Sequence, residues 1–203
     1  MPNDVTVHVI DDDDAVRDSL VFLLSSSGIG AKAYASAASF LDVFAGVEGS
    51  CIVTDIRMPE ISGMDLLRRV KDKWPELPVI VITGHGDVPL AVEAMKLGAA
   101  DFLEKPFDED TLLAAVRAAL AGERDRGGKD EQANEFRKRL ETLSAREREV
   151  LDGLVAGHPN KVIAFDLGIS PRTVEVYRAN VMTKMQATTL SELVRMAVLS
   201  NSM

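Results

Sequence analysis

The sequence predicts a doubly wound α/β domain, a parallel five-stranded sheet with helices on both faces, followed by a small all-α domain of four helices. Three observations carry this. Over residues 1–120, short apolar runs alternate with stretches whose apolar residues recur at helical spacing; strict strand–helix alternation implies a parallel sheet covered on both sides. Two of the runs end in carboxylates, residues 5–10 in Asp11-Asp12-Asp13-Asp14 and residues 51–54 in Asp55. From Leu143 onward the apolar periodicity is helical, with no further strand pattern.

Taken in order, residues 5–10 read as a buried strand and 15–27 as a helix with Val16, Leu20, Leu23 and Leu24 on one face, stopped by Gly28. Asp14 reads as its N-cap, with Asp13 stabilised by the helix dipole. Residues 31–35 are a weak strand and 36–44 a helix, capped by Ser36, with Phe40, Leu41 and Phe44 inward. Residues 51–54, 78–83 and 101–103 complete the strands, and 78–83 is nearly all β-branched. Helices at 63–73, 88–97 and 108–120 fill the intervals; the first turns Leu66, Leu67 and Val70 inward, the last Leu112, Leu113, Val116 and Leu120. The flavodoxin-like strand order 2-1-3-4-5 is the common arrangement at this size. It makes strands 1 and 3 neighbours and puts Asp11, Asp12 and Asp55 in the crevice at their carboxyl ends.

The formal net charge of −9 argues against a protein that coats nucleic acid. Its distribution is uneven: residues 1–120 carry 20 acids and 10 bases, residues 121–203 carry 12 acids and 13 bases. The second part can therefore approach a phosphate backbone without strong repulsion. Cys51 is the only cysteine, so no internal disulfide forms, and its apolar run makes it an inert buried thiol. No basic segment followed by an apolar one opens the chain, and no apolar stretch reaches spanning length. The expectation is a cytoplasmic protein with no membrane partner.

Several carboxylates sharing a crevice repel one another unless a cation is present. Oxygen donors without histidine or cysteine favour Mg²⁺. Lys105 follows strand 5 and can reach across the crevice; its bond to Pro106 can be cis. Thr83, at the end of strand 4, offers a hydroxyl. Singly, each residue has an ordinary explanation as a cap or surface group. Together, at the ends of strands 1, 3, 4 and 5, they form a phosphoryl-acceptor constellation. His8, His85 and His158 have no partner at ligand spacing and read as structural or surface residues, His85 within a glycine-rich loop beside the crevice.

Residues 123–140 read as a charged linker, broken at Gly127-Gly128 and otherwise able to continue as helix. After it, Ser144-Ala-Arg-Glu147 is a capping box opening a helix at 145–156. A short helix at 160–167, the turn Gly168-Ile169-Ser170 and a longer helix at 171–185 form a helix-turn-helix pattern, and a helix at 190–199 follows. In the longer helix Val174, Tyr177, Val181 and Met185 share the core face. Arg172, Glu175, Val176, Ala179 and Thr183 lie opposite, a polar face of little bulk that suits a major groove. Spacing alone fits a protein-binding bundle equally well.

The segments Val-Ile-Asp11-Asp12, Thr-Asp55-Ile-Arg-Met-Pro59-Glu-Ile-Ser-Gly63, Val-Ile-Thr83-Gly84 and Glu-Lys105-Pro106-Phe107 resemble response-regulator receiver domains, over residues 4–122. The resemblance implies a phosphoacceptor Asp55 served by a sensor histidine kinase, and Mg²⁺ held by Asp11, Asp12, Asp55 and the backbone carbonyl of Arg57. It implies that Lys105 holds the acyl phosphate, that Thr83 moves toward it, and that Phe102 turns into the vacated space. Leu143-Ser-Ala-Arg-Glu147, Asn160-Lys161-Val-Ile-Ala164 and Ile169-Ser-Pro-Arg-Thr173-Val-Glu-Val-Tyr177-Arg-Ala-Asn180 resemble the LuxR-type DNA-binding domain over residues 140–200. That implies base contacts from Glu175, Val176 and Ala179 and phosphate contacts from Lys161, Thr173, Arg178, Asn180 and Lys184, beside Arg172 on the same face. Tyr177 stands where many members carry histidine. The implied organisation is a receiver at 1–122, the linker, and a DNA-binding domain at 141–203. The implied function is a phosphorylation-activated transcription activator of nitrogen-fixation or oxygen-responsive genes. Its partners would be double-stranded promoter DNA, RNA polymerase and, once phosphorylated, a second copy of itself.

Two rivals differ in class. In a Mg²⁺-dependent aspartyl-phosphate phosphatase a second aspartate stands two positions after the nucleophile; here that position is Arg57. A signalling adaptor would use the helical domain to bind protein instead of DNA.

Overall fold

The computed structural model describes residues 5–46, 49–84, 88–121 and 129–201. The strands are β1 (Thr6–Ile10), β2 (Gly30–Tyr34), β3 (Ser50–Asp55), β4 (Val79–Thr83) and β5 (Asp101–Glu104). All neighbours are parallel, in the order β2-β1-β3-β4-β5, the arrangement expected from the sequence. The helices are α1 (Asp14–Ser26), α2 (Ala37–Val43), α3 (Gly63–Lys73), α4 (Val88–Lys96), α5 (Glu109–Leu120), α6 (Lys129–Glu141), α7 (Ala145–Val155), α8 (Asn160–Leu167), α9 (Pro171–Met185) and α10 (Leu190–Asn201). The chain forms two compact units, Met1–His85 with Leu97–Glu123, and Gly86–Lys96 with Arg124–Met203, so α4 groups with the second.

Strand periodicity builds the first core. Val7 and Val9 of β1, Cys51 and Val53 of β3, Ile80 and Ile82 of β4 and Leu103 of β5 point to one face. There they meet Leu20 and Leu24 of α1 and Leu112, Ala115 and Val116 of α5. β3 and β4 are buried along their whole length, as central strands covered on both faces are, and their middles are apolar. Burial pushes the Cys51 thiol up to about 12. One local expectation is corrected. Asp13, not Asp14, caps α1, its carboxylate accepting from the amides of Ala15 and Val16. The side chain of Asp14, on the first helical residue, pairs with Arg17 instead.

The opposite face holds an aromatic cluster around a buried histidine. The His8 ring lies 5.4 Å from Phe40 and 5.0 Å from Phe44, and its Nδ1 is 3.0 Å from the Tyr34 hydroxyl. Its Nε2 is buried with no hydrogen-bond partner. Burial, reinforced by Lys32, lowers the His8 pKa from 6.5 to about 4. The unfolded chain thus takes up a proton below pH 6.5 that the folded chain refuses until about pH 4. Stability contributed by neutral His8 is complete above pH 6.5 and is lost as pH falls to about 4, a loss of up to about 3 kcal/mol. His8→Phe should flatten this part of the pH profile while costing about 1 kcal/mol at neutral pH for the Tyr34 hydrogen bond. Urea midpoints at pH 7.5 and 4.5 measure both, and an unchanged pH dependence in the variant would remove His8 as the cause.

The second unit is helical. Residues 129–141, read from the sequence mostly as linker, form α6, which packs on α9 and α10 with Phe136 buried. The expected capping box opens α7: Ser144 accepts from the Glu147 amide, and the Glu147 carboxylate accepts from the Ser144 amide. Gly153 lies where α7 crosses α8; a Cβ there would stand 2.8 Å from Ile163 Cγ1. Gly168, at φ 65°, ends α8, and Ser170 caps α9 with Pro171 at its first position.

Candidate functional site

The topological reversal between β1 and β3 brings their carboxyl ends together, and three side chains meet there. Lys105, just past β5, places Nζ 2.7 Å from Asp55 Oδ1 and 3.4 Å from Asp11 Oδ2. The remaining oxygens are held by local backbone: the Arg57 amide donates to Asp55 Oδ2 at 2.6 Å, and the Asp13 amide to Asp11 Oδ1 at 2.9 Å. The Arg17 guanidinium donates to the Asp11 carbonyl at 2.6 Å. The side chains of Asp11 and Asp55 are 4% and 12% exposed, whereas that of Lys105 is 34% exposed, so the lysine closes the pair from the solvent side.

Electrostatics follow from this burial. Desolvation raises the Asp11 pKa; the Asp13 amide and Lys105 oppose the rise, and Asp55 adds to it. Burial disfavours the charge on Lys105, but the hydrogen bond and attraction of Asp55, with a smaller pull from Asp11, prevail and raise its pKa. The crevice therefore holds two carboxylates in mutual repulsion with a cation between them. Thr83 is buried at the end of β4, its hydroxyl donating to the Gly84 carbonyl at 3.0 Å, and its own carbonyl accepts from the Lys105 amide. Phe102, paired in register with Val81, is buried. The Lys105–Pro106 peptide is cis.

One part of the sequence expectation is not assembled. Asp12 is exposed, and among the described residues no three acidic, histidine or cysteine side chains cluster to hold a metal ion. Two hard carboxylates still fit Mg²⁺, which binds through one or two protein carboxylates and keeps several waters. His85 of the glycine-rich loop lies outside the described residues.

The second unit carries the other candidate surface. On α9, Val174, Val181 and Met185 are fully buried and Tyr177 is partly buried, as the helical spacing requires. Arg172, Glu175, Val176, Ala179, Asn180 and Thr183 are exposed, Arg178 is half-buried, and Lys161 on α8 is exposed. Thr173 is half-buried with its hydroxyl 2.8 Å from Ser170 Oγ. Lys184 departs from the expected pattern: its ammonium is 2.6 Å from Glu147 Oε2 and 3.3 Å from the Thr142 carbonyl. Lys184 and the Ser144 amide hold the Glu147 carboxyl at about 2. Sequence reading saw Glu147 only as a cap, because nothing in local spacing announces a partner 37 residues away.

A doubly wound sheet with an acid pair and a lysine at its carboxyl edge, joined to a helix-turn-helix unit, defines a regulatory protein with a switch site and a nucleic-acid-type output. Residues 7–117 match the response regulator receiver domain and residues 141–197 the luxR family of bacterial regulatory proteins. The chain belongs to the response-regulator family, with a LuxR-type DNA-binding domain. It is 61% identical over 200 residues to the transcriptional regulatory protein FixJ of Azorhizobium caulinodans, covering 98% of this chain and 95% of that protein. It is 41% identical over 189 residues to the response regulator protein TodT of Pseudomonas putida, covering 93% and 83%. The crystal structure of full-length FixJ from B. japonicum is 52% identical and covers 98% of both chains, with a TM-score of 0.56. Among the described residues no helix is long and apolar enough to cross a membrane.

Proposed function

We propose that this chain is a phosphorylation-activated transcription activator whose acceptor is Asp55. The observation that carries the reading is the Lys105 ammonium held between Asp55 and Asp11 at the switch point of the sheet. A sensor histidine kinase is the donor. The phosphorus–nitrogen bond to its histidine breaks, a phosphorus–oxygen bond to an Asp55 oxygen forms, and the imidazole leaves. Asp11, Asp55, exposed Asp12 and the Arg57 carbonyl are the donors for Mg²⁺, which supplies charge neutralisation at the phosphoryl oxygens when bound. Lys105 pairs with those oxygens, and Thr83 exchanges its Gly84 contact for one of them. These contacts exist only in the phosphorylated state, so they bias a two-state equilibrium that Phe102 on β5 reports.

The receiver, residues 1–122, then dimerises and presents two DNA-binding domains, residues 141–203, tethered by residues 123–140. Glu175, Val176 and Ala179 read bases; Lys161, Arg172, Thr173, Arg178 and Asn180 meet phosphates. Paired modules raise effective concentration, so a modest monomer affinity becomes useful binding. The FixJ relatives support nitrogen-fixation or oxygen-responsive promoters, with RNA polymerase as the downstream partner and the cytoplasm as the place of action.

Sedimentation of the full chain with a small phosphodonor and Mg²⁺ tests acceptor chemistry and assembly together. A monomer-to-dimer shift that needs both reagents is expected; its absence while Asp55 is labelled would remove dimerisation from the scheme. Binding to promoter DNA should weaken as salt rises, log affinity falling by about 0.9 per phosphate contact for each unit of log salt. Failure to retain promoter DNA even at low salt would instead favour a protein-binding output.

A further inference from the structure

We infer that Lys184, together with Glu147 and Arg139, forms a clamp that fixes the C-terminal end of the recognition helix and thereby sets how its N-terminal half meets bases. This rests on the reading that α9 enters a DNA groove. It removes Lys184 from the phosphate-contacting set and makes all three residues positioning residues.

Three contacts converge on the last turn of α9. The Lys184 ammonium is 2.6 Å from Glu147 Oε2 and also donates to the Thr142 carbonyl at 3.3 Å. Glu147 is buried, and the same Oε2 accepts from the Ser144 amide at 2.7 Å, so the ion pair is welded to the N-terminal cap of α7. From α6, the Arg139 guanidinium donates to the Met185 carbonyl at 2.9 Å, one of the carbonyls that a helix end leaves without an intrahelical partner. A cation at this end also suits the helix dipole. Side chains from two other helices thus hold the last turn of α9.

Geometry favours pairing over a phosphate contact. The Lys184 side chain is 39% exposed, but its ammonium already lies 2.6 Å from a carboxylate that is buried. A buried carboxylate beside the recognition helix would repel DNA if its charge were not satisfied; Lys184 satisfies it. Glu175 and Val176 lie between two and three turns from this anchor, and Ala179 between one and two, along one continuous helix, so a small tilt at the clamp is carried to the residues facing bases.

The test uses the full chain, treated with phosphodonor and Mg²⁺, and two duplexes: one selected from a random library by the wild-type chain, and a scrambled duplex of equal length. Affinities are measured from low to high salt. For Lys184→Met, the clamp predicts about a tenfold or greater fall in the ratio of selected to scrambled affinity, with the salt slope unchanged. A slope shallower by about 0.9 with the ratio preserved identifies a phosphate contact and overturns the clamp. A lowered melting temperature with ratio and slope both preserved makes the pair merely structural, and also overturns it. Glu147→Gln, which keeps an acceptor for the cap amide, should lower the ratio in the same direction and carries the test if Lys184→Met does not fold. Tighter binding by Glu147→Gln, as simple removal of a negative charge would give, counts against the clamp. Failure of the wild-type chain to prefer any duplex removes the DNA-reading role of α9 itself, a separate result.

Discussion

Asp55→Asn is expected to reduce phosphoryl incorporation from a radiolabelled phosphodonor to background and to abolish the phosphodonor-dependent dimer. The amide keeps the shape of the side chain but loses both the nucleophilic charge and the ionic partner of Lys105 at 2.7 Å. Asp11→Asn is the informative contrast. It leaves Asp55 and its Arg57 amide contact in place while removing one of the hard carboxylate donors, so label should still appear, more slowly and with a need for more Mg²⁺. If label persists on Asp55→Asn, the acceptor is elsewhere and the switch proposed around Lys105 and Thr83 fails with it.

The second large effect is expected at a residue with no chemistry. Gly63 begins α3 directly over the end of β3, where Asp55 sits. A Cβ at this position would stand 2.1 Å from the Asp55 carbonyl oxygen and 2.9 Å from both the Asp55 carbonyl carbon and the Ile56 Cα. These are backbone atoms tied down by ladder bonds, including the Ile56 amide to the Ile82 carbonyl at 2.9 Å and the Gly63 amide to the Ile56 carbonyl at 2.9 Å. No side chain can rotate aside to relieve the overlap. Gly63→Ala should therefore cost about 3 kcal/mol of stability and slow phosphorylation by displacing Asp55 from Lys105. Gly153→Ala, whose added Cβ would meet the Ile163 side chain and no backbone, should cost less and leave phosphorylation unchanged. Urea denaturation paired with the labelling assay separates the two; an unaltered midpoint in Gly63→Ala would show that the loop can yield.

The strand order and most element boundaries were legible because period-2 and period-3.6 patterns are local, and because glycines and capping residues punctuate them. The gathering of Asp11, Asp55 and Lys105 was legible only through topology, since residues 50 and 94 positions apart carry no local signal of contact. The cap of α1 was misplaced by one residue because four consecutive aspartates offer the same side chain at each candidate position; the direction of the backbone decides among them. The ordered α6 was hidden by its composition. Charged residues dominate it, and Phe136, alone buried among its described side chains, is too little to register as a periodic face. The Glu147–Lys184 pair was hidden for a different reason: each residue already had a sufficient explanation, one as a cap and one as a phosphate contact implied by the resemblance.

The fate of the only sulfhydryl has a practical and a biological side. Cys51 is enclosed within β3 and its ionisation is pushed to about 12, so peroxide, glutathione and maleimide find no thiolate to attack in the folded chain. A fluorophore or spin probe placed at an introduced surface cysteine will therefore report from one site alone. Cysteine oxidation is thereby closed to this folded polypeptide as a way of registering a redox cue.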